Sequence, residues 1–341
     1  MSTMNNKQQI LRLLRDADRH MSGQYLCERL GISRTAVWKI IRKLKQEGYP
    51  IEAVTNKGYR LLSVEGRDLF NQEELERRLT TRWAGHPLIY SEETGSTNSD
   101  IFGFSDRGYP QGTLAVTSKQ TTGKGRRGRT WISPPGVNIY MSILLKPDFR
   151  PETAPMLTLV MALAVYRACK ELYGNECAFG IKWPNDIVVS ARGGDYHKIC
   201  GILTEMRMEE KEIRDIVIGI GINVNQTEFP EEISQTAGSL ALALGREVSR
   251  ADLTAAVWQY FEEYYERFAE AQTLKPLREE YESALVNRGR KVRVLDPSTP
   301  FEGTAMGIND LGELLVQLDD GSTVMAVGTG EVSVRGVMGY V

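Results

Sequence analysis

Cysteine and histidine are scarce in this 341-residue chain. Its four cysteines, Cys27, Cys169, Cys177 and Cys200, lie far apart and form no C-x-x-C pair, and there are only three histidines. Structural zinc sites and disulfide frameworks need such residues at close, regular spacing. Neither is therefore expected, and the reducing cytoplasm is the expected location.

The sequence also offers no candidate for a membrane-spanning helix or an export signal. The longest nearly unbroken apolar run, Met156 to Tyr166, is shorter than the roughly 20 residues that a bilayer-spanning helix needs. The first twenty residues are polar and charged and lack the apolar core of a signal peptide. We therefore expect a cytoplasmic protein that has no membrane partner.

Positive charge is concentrated at the start of the chain. Residues 1–66 hold 12 Lys and Arg against 6 Asp and Glu, whereas the rest of the chain holds 30 against 38. The overall net charge of −2 is therefore the sum of a basic head, residues 1–66, and an acidic body, the rest of the chain. Only the head is expected to meet a polyanion such as nucleic acid.

The head has the element order of a helix-turn-helix. Apolar residues at helical spacing follow Asn5, Ser22 is placed to cap a second helix that Gly31 ends, and Ser33 is placed to cap a third. This third helix has one apolar face and one basic face. A helix of that kind enters the major groove in helix-turn-helix proteins.

A hairpin is predicted to follow the third helix. The run from Ile51 to Leu62 alternates around Asn56-Lys57-Gly58, which makes a wing with a basic tip. The expected DNA contacts are Ser33, Arg34, Thr35, Trp38, Lys39, Arg42, Lys57 and Arg60. Trp38 can also be a core residue. The alternative for the whole head is a three-helix interaction domain with a solvated basic face.

Beyond Gly66 the pattern changes to a mixture of helices and short apolar runs. Asn71 and Glu74 predict a capped helix that runs to about Trp83. Further helices are predicted at about Glu152 to Leu172, Arg250–Ala271 and Leu274–Leu285, and strands at 88–90, 112–118, 137–145, 177–183, 187–189, 199–206 and 216–224. Because strands and helices do not alternate strictly, the class is α+β.

The last part of the chain, about Gly289 to Val341, alternates in short runs separated by turns such as Asp319-Asp320-Gly321. The runs are KVRVL, FEGTAMGI, ELLVQL, TVMAV and EVSVR. This pattern predicts a small β-barrel.

One stretch, TTGKGRRGRTW from Thr121 to Trp131, combines three glycines with four cations. It matches the dinucleotide pattern G-x-G-x-x-G and nearly matches a phosphate-binding loop. Both motifs need a helix to begin at the last glycine, yet Ser133-Pro134-Pro135-Gly136 and a strand follow here. Both alternatives therefore fail, and the acidic body argues against nucleic acid. What remains is an anion-binding loop of backbone N–H groups and cations.

Five motifs in a fixed order carry a resemblance to a known family. They are STN (Ser96 to Asn98), GKGRRGRTW (Gly123 to Trp131), KWPND (Lys182 to Asp186), KICGIL (Lys198 to Leu203) and GIGINVN (Gly219 to Asn225). Together they resemble the ordered motifs of the biotin protein ligases. With the winged head, the chain resembles the bifunctional members that also repress the biotin operon.

The resemblance implies a reaction, its substrates and its partners. A biotin carboxylate attacks the α-phosphate of ATP, with Mg²⁺ carried by the ATP rather than by dedicated protein ligands. A lysine of a biotin carboxyl carrier domain then captures the biotinyl-adenylate. The same adenylate acts as corepressor for a homodimer on biotin operator DNA. Such chemistry needs cations aimed at developing negative charge.

The resemblance also implies roles for individual residues. The expected catalytic residues are Lys198, Arg126 and Asp186. The expected biotin-binding residues are Ser96, Thr97, Asn98, Gln120, Lys124, Gly125, Arg126 and Lys198. The expected ATP and adenylate contacts are Arg127, Arg129, Trp131, Asn185 and Asn223. Lys124 stands where many relatives have arginine, so the resemblance does not imply a bidentate contact there. Trp131 can stack on adenine or fill the core.

The implied fold has three parts. They are a winged helix-turn-helix at residues 1–65, a mixed α/β ligase domain of the class II synthetase-like type at 66–287, and an SH3-like β-barrel at 288–341. Two other functions stay open at this point. One is a transcription regulator that only senses a small acid, and the other is a lipoate-type ligase.

Overall fold

The computed structural model describes residues 5–191, 193–296, 299–329, 332–337 and 340–341. The chain divides into two compact units, residues 1–74 and 75–341. Each unit has its own buried apolar core. The three-part division with boundaries at 65/66 and 287/288 stays a prediction.

The first unit is a winged helix-turn-helix. Its elements are α1 (Asn6–Arg15), α2 (Gly23–Leu30), α3 (Arg34–Gln46), β1 (Ile51–Val54) and β2 (Gly58–Leu61). The side chains of Asn5, Ser22 and Ser33 each accept the backbone N–H three residues further on, and Gly31 ends α2 in the left-handed conformation. These local caps explain why the predicted helices are confirmed.

The wing is the antiparallel pair β1–β2. Met21 and Tyr59 exchange backbone hydrogen bonds, so β2 also adjoins the segment before α2. Gly58 has a φ of +106°, and a Cβ there would lie 2.0 Å from the carbonyl oxygen of Met21. The tight approach therefore requires glycine at this position.

The helix predicted to run to about Trp83 is shorter than expected. It is α4 (Gln72–Arg78). Beyond it, the backbone N–H groups of Arg82, Trp83 and Ala84 all donate to the carboxylate of Glu262. Because these N–H groups donate to a side chain that is far away in the sequence, they do not make the backbone hydrogen bonds that would continue the helix.

Seven strands of the described residues form the central sheet, in the order β3-β4-β5-β9-β8-β7-β6. Their bounds are β3 Leu88–Ser91, β4 Leu114–Thr117, β5 Ile139–Leu145, β6 Cys177–Lys182, β7 Asp186–Ala191, β8 His197–Glu209 and β9 Glu212–Ile222. Every predicted strand is present. Only β3 and β4 pair in parallel; the other pairs are antiparallel. The mixed sheet confirms the α+β class.

The helices of this unit were predicted in part. They are α5 (Thr97–Asp106), α6 (Leu157–Tyr173), α7 (Glu231–Ser234), α8 (Leu240–Leu244), α9 (Arg250–Ala271) and α10 (Arg278–Ala284). The prediction that a helix begins at about Glu152 was wrong, because Pro151–Met156 forms 3-10 turns with Pro155 inside. Helix α5 was not predicted, because its apolar residues follow no clear helical period; Ile101 packs it onto the sheet.

The predicted C-terminal strands are β10 (Lys291–Leu295), β11 (Phe301–Ile308), β12 (Leu314–Gln317), β13 (Val324–Val327) and β14 (Ser333–Gly336). Within the described ranges they form one antiparallel sheet in the order β13-β12-β11-β10-β14. The first strand therefore pairs with the last, which brings the end of the chain back to the beginning of this sheet.

Candidate functional site

The glycine-rich loop between β4 and β5 is a small hairpin. Lys124 and Thr130 form an isolated antiparallel bridge, and the Gly125 N–H donates to the Arg129 carbonyl at 2.7 Å. A single 3-10 turn, Arg126–Gly128, closes the tip. None of the described residues 129–138 is α-helical. The absence of a following helix agrees with the argument that excluded the two nucleotide motifs.

Arg126 ties this loop to two other parts of the second unit. One guanidinium nitrogen donates to Asn185 Oδ1 at 2.9 Å, and the other donates to the Thr329 carbonyl at 2.8 Å. Burial lowers the pKa of this guanidinium, which nevertheless stays charged because an arginine pKa begins so high. Arg126 thus places a partly desolvated cation where the loop, the β6–β7 turn and the C-terminal sheet meet.

Three charged side chains come from three neighbouring strands at this point. Lys182 ends β6, Asp186 begins β7, and Lys198 lies near the start of β8. Lys198 Nζ lies 2.6 Å from Asp186 Oδ1. Burial opposes the charged carboxylate, but Lys198 and Lys182 outweigh it and lower the pKa of Asp186. Burial also lowers the pKa of Lys182, to about 8.

The STN motif begins α5 and forms a polar cluster. The Thr97 N–H donates to Gln120 Oε1 at 3.0 Å, and Asn98 Nδ2 donates to Glu205 Oε2 at 2.6 Å. The Ser142 hydroxyl lies 2.6 Å from both Thr97 Oγ1 and Asn98 Oδ1. These buried groups therefore hold one another in place.

The eight residues predicted to bind biotin all line one small cavity of about 50 Å³. Strand glycines form part of its wall. A Cβ on Gly219 would lie 2.1 Å from Asn98 Oδ1, so a larger residue there would displace the STN cluster. The structure thus brings the predicted residues together from the loop, α5 and β8.

A larger cavity of about 580 Å³ adjoins the small one. All five residues predicted to contact ATP line it, together with Asp186 and Lys182. Of the described residues, those that line both cavities are Gly125, Arg126, Trp131, Asn185 and Lys198. A ligand atom at this junction would face two cations, Arg126 and Lys198.

Trp131 lies at the junction with its ring against strand glycines. A Cβ on Gly221 would lie 2.3 Å from Trp131 Nε1, and one on Gly201 would lie 2.9 Å from the ring. The buried indole N–H has no hydrogen-bond partner among the described residues. The ring is only partly buried, so it lines the site and is not a core residue.

Several residues of this site have little or no signal in the sequence. Lys182 belongs to the KWPND motif without an expected role of its own, and Ser142 and Glu205 lie inside apolar runs. A serine within a fully buried strand is the signal that would have pointed to Ser142. Tyr340, which also lines the larger cavity, gave no sequence signal.

The predicted DNA contacts of the first unit come from α3, its N-cap and the wing. The exposed ones include Ser33, Arg34, Thr35, Lys39, Arg42 and Lys57, whereas Arg60 is half-buried. Trp38 is 51% exposed and is therefore no core residue of this unit. The Arg42 guanidinium carbon lies 5.5 Å from the Trp38 ring centroid. The face therefore offers cations and an aromatic ring together.

The fold and the paired cavities are those of a ligase that activates a small acid with a nucleotide, joined to a winged helix-turn-helix. Three family models match the chain. They are the biotin/lipoate A/B protein ligase family at residues 90–223, a helix-turn-helix domain at 6–60, and the biotin protein ligase C-terminal domain at 289–335.

Individual relatives extend these matches over most of the chain. The chain is 39% identical over 303 residues to the bifunctional ligase/repressor BirA of Bacillus subtilis, a match that covers 88% of this chain and 90% of that protein. It is 29% identical over 328 residues to BirA of Escherichia coli, which covers 96% of each.

A solved structure is similar as well. The biotin protein ligase from Aquifex aeolicus, in complex with biotin and ATP, is 31% identical with a TM-score of 0.62, covering 73% of this chain and 98% of that one. This chain belongs to the biotin/lipoate A/B protein ligase family and has the domain organisation of its bifunctional ligase/repressors.

Proposed function

We propose that this protein joins biotin to a carrier lysine at the expense of ATP and represses transcription from biotin operator DNA. The observation that carries the ligase function is the junction of the two cavities at Arg126, Lys198 and Trp131. The small cavity is lined by the residues predicted to bind biotin, and the larger one has the size and the cations for ATP. The relatives named as bifunctional ligase/repressors support both functions.

The first step is an attack of the biotin carboxylate on the α-phosphorus of ATP. A new oxygen–phosphorus bond forms, and the bond to pyrophosphate breaks. Negative charge builds on the α-phosphate, and Lys198 and Arg126 are the cations placed to stabilise it. Trp131 would stack on adenine, and Asn223, whose amide donates to the Gly238 carbonyl at 3.0 Å, would contact the nucleotide.

The second step transfers the biotinyl group to the carrier lysine. The amine gives up a proton, its lone pair attacks the biotinyl carbonyl carbon, and AMP leaves with the electrons of the broken bond. Asp186 is the group that we propose accepts the proton. Its lowered pKa keeps it ionised at neutral pH, so it carries no proton of its own when the amine arrives.

Mg²⁺ would enter this site with ATP. Magnesium in nucleotide sites is usually held by one or two carboxylates together with phosphate oxygens. Among the described residues that line the larger cavity, Glu232 is a carboxylate that would join the phosphate oxygens, whereas the Asp186 oxygens pair with Lys198 and Tyr340. The residues present therefore fit a phosphate-borne ion, which would neutralise charge on the departing pyrophosphate.

Exchange of labelled pyrophosphate into ATP tests the first step and separates the alternatives. We expect biotin to support exchange and lipoate to support little. Equal exchange with lipoate would favour a lipoate-type ligase. No exchange with either acid would contradict the proposal and favour a regulator that only senses a small acid.

The glycine-rich loop should become protected when the adenylate forms. In the free protein Arg127 and Arg129 are both exposed, so trypsin should cut after one of them. Bound phosphate would engage these cations and order the backbone. We expect cleavage here to slow several-fold with biotin and ATP, measured by mass spectrometry of the fragments. Unchanged cleavage would show that the loop does not hold the adenylate.

Arg42→Ala should weaken operator binding. The variant removes one exposed cation from α3, so the affinity for the operator should drop. The slope of log affinity against log salt concentration should also become shallower by about one. The matched control is Arg12→Ala on α1, which also removes an exposed cation but lies outside the predicted contact surface. Equal effects of the two variants in a fluorescence titration would contradict the assignment of α3.

A further inference from the structure

Tyr340 reaches the active site from the segment after β14. Its hydroxyl donates a hydrogen bond to Asp186 Oδ2 at 2.7 Å. Its ring lies under Lys182, whose Nζ is 3.7 Å from the ring centroid. Two separate interactions, one with the hydroxyl and one with the ring, therefore hold this side chain at the larger cavity.

The contact gives each Asp186 oxygen one partner. One carboxylate oxygen pairs with Lys198 at 2.6 Å, and the other accepts from Tyr340. The Asp186 side chain is only 13% exposed. Burial and the neighbouring carboxylate raise the pKa of Tyr340, so the phenol stays protonated and remains a donor. Each oxygen can accept a second hydrogen bond, but the side chain is this deeply buried, so movement of one of these two partners would open the approach that a further donor needs.

The acceptor lysine needs such an approach. Under the proposed function, on which this inference rests, its amine must release a proton to Asp186 before it attacks the biotinyl carbon. Lys198 is fixed on a central strand and is needed at the phosphate. Tyr340 lies beyond the last strand, so it is the partner that can leave.

We propose that Tyr340 gates the transfer step by occupying the Asp186 oxygen that receives the acceptor's proton. The hydroxyl keeps this oxygen from small amines while the adenylate is held. Docking of the carrier domain displaces Tyr340 and frees Asp186 for the carrier lysine. Tyr340 thus acts through Asp186 and determines which amines are accepted.

Tyr340→Phe tests this gate because it removes the hydroxyl and keeps the ring that contacts Lys182. With adenylate formed in place, transfer to the small amine Nα-acetyl-lysine should be roughly tenfold faster than in the wild type, the effect of about one lost hydrogen bond to a charged group. Both transfer rates are taken per adenylate formed, from pyrophosphate release in the same first turnover, because Tyr340 also lines the larger cavity. The ratio of transfer to Nα-acetyl-lysine over transfer to saturating carrier domain should rise roughly tenfold, because the docked carrier domain displaces Tyr340 in either protein.

The matched control is Tyr260→Phe, which removes another tyrosine hydroxyl bonded to a carboxylate, that of Glu171, away from both cavities. It should leave all three rates unchanged. Normal pyrophosphate release with unchanged or slower transfer to Nα-acetyl-lysine in Tyr340→Phe would refute the gate alone. A wild-type protein that releases no biotin-dependent pyrophosphate would refute the proposed function and the gate with it.

Discussion

Lys198→Ala is expected to slow adenylation of biotin by roughly 10²–10³-fold, the effect of removing one donor aimed at developing negative charge. Lys198 lines both cavities, so its ammonium is placed where the biotin carboxylate and the α-phosphate would meet. Single-turnover release of pyrophosphate measures the step directly. Near-normal release by the variant would contradict the assignment.

Two controls separate charge at the reaction centre from other effects. Lys119→Ala removes a lysine that pairs with Glu93 at 2.8 Å outside the cavities, and it should leave the rate unchanged. Lys198→Ala also leaves Asp186 without its ion-pair partner, so Asp186→Asn should be added to it. We expect the double variant to stay slow. Recovery of the rate would mean that Lys198 only neutralises Asp186.

Formation of the adenylate is expected to raise operator affinity by roughly 10²–10⁴-fold, the gain available when a second module binds from the same molecule. A single recognition helix contacts few base pairs, each worth about 1–3 kcal/mol of discrimination. One copy therefore cannot select a single operator, whereas a two-fold dimer can read an inverted repeat. We propose that the adenylate-bound second unit provides the dimer contact.

Sedimentation with and without biotin and ATP, alongside a DNA shift titration on an inverted repeat, measures this coupling. Dimerisation and tight binding should increase together, and biotin alone should do less. The Lys198→Ala variant is the control, since it should form little adenylate and stay monomeric. A wild-type protein that stays monomeric with adenylate and binds the operator equally tightly would contradict the coupling.

The head could be predicted closely because its signals are local. The helix ends are set by Asn5, Ser22, Ser33 and Gly31, each of which acts within one turn of its own helix. The residues that determine where these helices begin and end are therefore neighbours in the sequence. The strands of the central sheet were predicted for a similar reason, since buried strands are continuous apolar runs. The end of α4 depends instead on Glu262, far away in the chain, and could not be predicted.

The site was predictable only where a motif marks it. Lys198, Arg126 and the STN residues belong to recognisable motifs, and the structure brings them to shared cavities. Glu205 and Tyr340 join the site through hydrogen bonds to Asn98 and Asp186 that depend on how β8 and the segment after β14 are placed. Long-range placement of this kind has no local sequence signal, so only the fold reveals it.

The most direct test of the ligase function is the mass of a biotin carboxyl carrier domain after incubation with the protein, biotin and Mg·ATP. We predict that the carrier gains one biotinyl group on one lysine, that the gain requires both biotin and ATP, and that Lys198→Ala abolishes it within the time of full wild-type labelling. A carrier of unchanged mass, in the presence of an established ligase that labels the same preparation, would contradict the account.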